Sequence, residues 1–156
     1  NSSFNLDQDI LAAQLLFESG VPHLYLPGYH VGAQLTLSLP DMEAWIRDKG
    51  KLGAYLFEEY MLWYKKRQNQ SHVFDKDTSN SSDMRGYTKV IWDLINIAWL
   101  LNPSWVQTEL IRAPRFDNNT YWNHSLSSRH LMREAYDIDR DGIFQDLIKK
   151  FENAPD

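Results

Sequence analysis

The chain has 156 residues, enough for one domain with a hydrophobic core; 43% are apolar, 24% charged and 13% aromatic. Its net charge of −5 argues against nucleic acid or an anionic membrane surface as the main partner. The absence of cysteine excludes disulfides and thiolate metal sites.

Asp9 predicts an N-cap for a helix from Ile10 to Glu18, with Gly20 closing it at C′. Val21 to Leu26 reads as a short buried strand ended by Pro27-Gly28. A helix followed at once by a strand is the connection of parallel α/β sheets. Leu35 to Leu39 is extended, and Ser38 with Asp41 three residues on predicts a helix through about Asp48. Gly50 and Gly53 then break the pattern before a longer amphipathic helix. Its Leu56, Tyr60, Trp63 and Tyr64 share one face, with Glu58, Glu59, Lys65 and Lys66 outside. Asn69 to Arg85 is polar and rich in Ser and Asp, which predicts a solvated loop over 69–86.

An apolar helix opened by Asp93 and stopped at Asn102-Pro103 comes next. Asp93 and Asn96 interrupt the longest apolar run, Val90 to Leu101, so no membrane span is expected. A strand near Val106 to Arg112, an aromatic loop through Trp122, a strand near His130 to Tyr136 and a helix from Asp141 to Phe151 complete the order. No internal repeat or domain boundary is visible. Three or four strands are few for a doubly wound domain, so the chain reads as part of a sheet.

Asp93 stands at the positive end of a helix dipole, as an N-cap or as a ligand for something outside the helix. Asp137-Ile-Asp139-Arg-Asp141-Gly142 has the opening of an EF-hand loop, but Ile148 stands where a bidentate Glu is needed. Asp141 as N-cap of the last helix explains the motif more simply. The histidines, His23, His30, His72, His124 and His130, show no metal-ligand spacing. His30, just after the Pro27-Gly28 turn, faces a cleft at a strand's carboxyl end or is a loop residue. The glycosylation pattern Asn-x-Ser/Thr occurs at Asn1, Asn69, Asn80, Asn118 and Asn123. At this Asn and Ser/Thr content about one match is expected by chance. The excess predicts a secreted or extracellular glycoprotein.

Three segments resemble the inosine–uridine-preferring nucleoside hydrolases. Phe4-Asn5 followed by Asp9-Ile10-Leu11-Ala12-Ala13 is close to the family's Glu-Phe-Asn and Asp-Pro-Glu-Ala-Ala, with Ser3 in place of the Glu. Leu24 to Pro27 is similar to its apolar strand ending in proline. Trp92-Asp93 through Asn102-Pro103 resembles the His-Asp pair that opens a helix ending in Asn-Pro, with Trp92 in place of the His. The family's N-terminal run of aspartates is absent from this chain.

The resemblance implies a mostly parallel, Rossmann-like α/β sheet of the nucleoside hydrolase type, with only its C-terminal part in this chain. Residues 1–156 are then a single domain or the C-terminal half of one. The implied activity is calcium-dependent hydrolysis of the N-glycosidic bond of nucleosides or a related N-riboside. The implied roles are calcium binding for Asp93 and ribose contact for Asn5. Trp92 cannot exchange a proton at neutral pH and so cannot replace the His as an acid; it stacks on a nucleobase or belongs to the core. Substrate binding is therefore expected at Asn5, Trp92 and His30. Expected partners are the N-terminal half of the same protein or a second chain, a nucleoside-like small molecule, and further copies of the chain in a homo-oligomer. The competing reading is a non-catalytic secreted binding or interaction protein that kept the fold.

Overall fold

Residues 1–35 pack with residues 92–139, and residues 36–91 pack with 140–156, so the chain divides into two units. The computed structural model describes residues 4–74, 88–116, 122–123 and 128–153.

The first unit opens with two short helices, α1 (Phe4–Gln8) and α2 (Ile10–Glu18). Asp9 between them is extended, and its Oδ1 accepts a 2.9 Å hydrogen bond from the Ala12 N–H, as the cap reading requires. Gly20 has φ +74°, the left-handed geometry expected of a C′ glycine. Asn5 lies inside α1.

Only Leu24–Tyr25 of the predicted 21–26 strand is paired, as β1. It runs parallel to β7 (Leu131–Ile138), whose other edge pairs antiparallel with β4 (Val106–Arg112). The sheet order is β1-β7-β4, so the fold is mixed α/β and the described sheet is not mostly parallel. The cause is the connection between β4 and β7. It holds a small hairpin, β5 (Arg115–Phe116) with β6 (Trp122–Asn123), where a loop was expected. With a hairpin in place of a crossover helix, the flanking strands pair antiparallel.

Phe17 is 2% exposed and clusters with Ala113, Phe116 and Met132 to form the core of this unit. Its ring meets those of Phe116, His23 and Tyr25 edge-on, with centroids 4.7, 5.0 and 6.0 Å away. Arg129 reaches into the same region and donates hydrogen bonds to the carbonyls of Phe17, Ala113 and Pro114 at 2.8–3.1 Å. Helix α5 (Leu94–Leu101) buries Ile95 and Ala98 but leaves Ile97, Leu100 and Leu101 exposed. Asn102 stops it, and its Oδ1 accepts from the Ser104 N–H of a one-turn 3-10 helix leading to β4.

The second unit holds β2 (Thr36–Ser38), α3 (Leu39–Trp45), α4 (Gly50–Phe74), β3 (Thr88–Val90) and α6 (Arg140–Glu152). Strands β2 and β3 pair antiparallel. Ser38 and Asp41 form a reciprocal capping box: the Ser38 Oγ accepts from the Asp41 N–H at 3.2 Å, and the Asp41 carboxylate accepts from the Ser38 N–H at 2.9 Å. Ser38→Ala should therefore cost about 1 kcal/mol in thermal unfolding. An unchanged midpoint would show that packing alone starts α3.

The predicted face of α4 is the buried one: Tyr60 and Tyr64 are buried, Leu56 and Trp63 partly so, and Glu58, Glu59, Lys65 and Lys66 are exposed. The Tyr60 hydroxyl donates to the Leu37 carbonyl at 3.3 Å, and the Lys89 ammonium lies 5.2 Å from the Trp63 ring centre. Gly50, with φ +62°, begins the helix, whereas Gly53 lies inside it. The helix also continues through Phe74, so Asn69 is helical rather than in the expected 69–86 loop. Neither Gly nor Pro occurs between Gly53 and Phe74, so nothing local stops it sooner. Residues 75–87 lie outside the described residues.

Helix α6 starts at Arg140, which puts Asp141 in the first turn and not at the cap. Asp137 belongs to β7, so the run 137–142 crosses a strand and a helix and makes no EF-hand loop. Of the other glycosylation candidates, Asn123 lies in β6, while Asn1, Asn80 and Asn118 fall outside the described residues. Among the described residues, no helix is long and apolar enough to cross a membrane.

Candidate functional site

Past β1 the backbone curls into a tight turn because Pro27 cannot extend the strand pairing. The Val31 and Gly32 N–H groups both donate to the Pro27 carbonyl, at 3.3 and 3.0 Å, and the Ala33 N–H donates to Gly28 at 2.7 Å. This turn lies against Trp92, the residue before Asp93. A Cβ built on Gly28 or on Gly32 would sit 3.7 Å from the indole ring. That is ordinary van der Waals distance, so the indole packs directly on the turn. Trp92 keeps 43% of its surface exposed, and the Tyr29 ring meets it at 69° with centroids 6.1 Å apart. The two rings form an aromatic corner at the carboxyl end of β1.

The corner opens on a cleft of about 530 Å³ lined by Phe4, Asn5, Trp92, Asp93 and Asn96, with Leu24, Leu26 and Ile95 on its apolar wall. Asn5 comes from α1 and Asp93 from the start of α5, so the fold brings together residues far apart in sequence. Asp93 occupies the N-cap position but with helical backbone angles, φ −85° and ψ −7°, and its side chain makes no capping bond. A capping side chain reaches the next N–H groups from extended backbone. Here the backbone is already helical, so the carboxylate is left to the cleft. The Asp93 carbonyl accepts from the Asn96 N–H at 3.2 Å, which fixes the first turn.

Of the residues expected to contact substrate, Asn5 and Trp92 line the cleft together with Asp93. His30 is exposed in the same turn but does not line it; its neighbour Tyr29 does. A turn offers no periodicity to say which of two successive side chains points inward. Sequence reasoning missed Tyr29, Gly28, Gly32 and Asn96. Asn96 carried a signal: it lies three residues after Asp93, on the same helix face. The glycines and Tyr29 carried one too, standing directly beyond a strand's carboxyl end, where α/β sheets place ligands.

Among the described residues that line it are one carboxylate, two amides and three aromatic rings, and no Lys, Arg or His. Asp93 suits one oxygen ligand of a hard cation such as calcium, and the Asn5 and Asn96 amide oxygens are donors of the same class. Among the described residues, no group of three or more His, Asp or Glu is placed to hold a metal ion. Asp93 thus fits as one member of a ligand set and not as a site by itself.

A plant nucleoside hydrolase superposes on this chain with a TM-score of 0.69 at 18% identity, covering 99% of this chain and 48% of the other. The fold is nucleoside hydrolase-like. The chain spans about half the length of that solved structure. No family model matches the sequence, and no curated protein does. At 18% identity the likeness speaks for the fold, and what the cleft does must be argued from its own residues.

Proposed function

We propose that this chain supplies the ring- and sugar-contacting part of a calcium-dependent hydrolase acting on the N-glycosidic bond of a nucleoside or related N-riboside. The observation that carries the reading is the convergence of Asn5, Trp92 and Asp93 on one cleft, within a nucleoside hydrolase-like fold. In this reading the three-stranded sheet is one flank of a larger, mostly parallel Rossmann-like sheet, completed by an N-terminal half or a second chain. Exposed leucines favour such a partner: Leu11 and Leu15 lie one turn apart on α2, and Leu100 and Leu101 lie on α5. A second copy of the chain is the other occupant these faces would accept. The five glycosylation motifs support a secreted location.

The Asn5 amide both donates and accepts, so it can bridge two ribose hydroxyls and fix the sugar. Trp92 and Tyr29 offer ring faces to the departing heterocycle. Asp93 would be one calcium ligand, the rest coming from beyond the described residues. When bound, calcium supplies positive charge that favours ionisation of a water and holds sugar hydroxyls.

Asp93→Asn keeps the size of an exposed side chain that makes no capping bond, so the fold should survive. In the complete protein it should weaken calcium binding at least about tenfold and lower ribose release with it. Calorimetric calcium titration and a reducing-sugar assay on the variant check both. Unchanged affinity and rate would leave Asp93 a structural residue. One observation favours a non-catalytic binding protein instead: the corner holds Trp92, which cannot protonate a leaving base. Saturable nucleoside binding without any ribose release in the complete protein would establish that reading.

A further inference from the structure

Opposite the cleft, at the amino end of the first unit's sheet, stand two histidines. His23 precedes β1 and His130 precedes β7, and because these strands run parallel both residues lie at the same end. The His23 Nδ1 lies 2.8 Å from the Val21 carbonyl, which can only accept, so Nδ1 carries a proton. In the neutral ring Nε2 then presents a lone pair. That Nε2 is buried and has no hydrogen-bond partner, and the same holds for the Nε2 of His130. Buried polar atoms are seldom left unpaired, and two such nitrogens suit an ion or a water. The two rings lie 6.2 Å apart, centre to centre.

We propose that these two nitrogens bind a d10 transition ion, zinc or monovalent copper. A direct hydrogen bond would bring the rings closer than this, whereas one ion bonded at about 2.0–2.1 Å to each nitrogen spans the gap. Monovalent copper is satisfied by two imidazoles in line; zinc would add water in its remaining positions. Neutral imidazole is a good ligand for both metals. A metal-bound histidine ordinarily donates its other ring N–H to an acceptor such as a carbonyl, as His23 does to Val21. Arg129, next to His130, turns its guanidinium to the carbonyls of Phe17, Ala113 and Pro114 and leaves the imidazoles unpaired. The chain has no cysteine, so no disulfide can tie the entries of β1 and β7, and a shared ion would join them instead. Neither histidine lines the cleft, so this ion would be separate from the calcium of the nucleoside reading.

The test is titration of the metal-free chain with zinc sulfate and, under reductant, with copper(I), each in competition with a chromophoric chelator. One equivalent of at least one metal should bind, and an excess of calcium should not displace it, because calcium takes oxygen ligands. His23→Asn keeps an amide N–H near the place of Nδ1 but has no Nε2. It and His130→Asn should each weaken binding at least about tenfold, with circular dichroism checking that both fold. Asp93→Asn should bind the metal as the parent does, and a loss there would overturn the proposal. The imidazole nitrogen NMR resonances of the parent report the same contact without any substitution, and those of both Nε2 atoms should shift with the bound ion. Resonances that stay in place while metal binds would put the ion elsewhere and overturn the proposal. So would a failure of both metals to bind, which would leave the pair to water.

Discussion

Arg129→Leu is expected to destabilise the protein by about 3–4 kcal/mol, more than a typical substitution of a partly buried residue. The guanidinium is 16% exposed and donates to three backbone carbonyls, those of Phe17, Ala113 and Pro114. Those carbonyls belong to the end of α2 and to the segment linking β4 with β5, so one side chain ties the helix to the sheet end. Leucine fills the volume but removes the Arg129 donor from all three carbonyls, at about 1–3 kcal/mol each where water cannot reach. The nearest carboxylate, Glu18, is 4.0 Å away and half exposed, so charge pairing contributes little. Arg129→Lys separates the two effects. Lysine keeps the charge but not the planar fork, and it should recover less than half of the loss. Full recovery in urea unfolding would mean that charge and not geometry matters here.

Gly53→Ala should cost about 2 kcal/mol or more, although alanine is the better helix former by about 1 kcal/mol. A Cβ at this position would lie 2.1 Å from the Ile46 carbonyl oxygen and 3.0 Å from the Lys49 Cβ. The carbonyl cannot swing aside cheaply, because it accepts the Lys49 N–H at 3.0 Å and Ile46 itself ends α3 through a bond to Met42. Relief requires α4 to shift against the turn before it. The measurement is the urea midpoint at unchanged slope. A midpoint equal to or above that of the parent would show that the turn gives way freely.

Local chemistry made some of this fold readable and left the rest hidden. Asp9, Gly20 and the Ser38–Asp41 pair act on backbone groups a few residues away, so their effects are written in sequence order. The face of α4 is equally plain, because a period of 3.6 repeats over several turns. Strand pairing is not local. Whether Val21 or only Leu24 joins the sheet depends on where β7 lies, and the direction of β4 depends on a hairpin of two-residue strands. The cleft shows the same division. Asn5, Trp92 and Asp93 stood out by their motifs, whereas Tyr29 in place of His30 was decided by the path of one turn.

If a partner covers the leucines exposed on α2 and α5, folding becomes linked to assembly. Each side chain that a second surface covers adds about 1.5–3 kcal/mol that the chain alone does not gain. Stability of that kind depends on the concentration of whatever covers it, so the melting temperature rises with partner concentration by mass action. Covered in that way, the apolar faces of Leu11, Leu15 and Leu100 would turn a property of one polypeptide into a property of the solution that holds it.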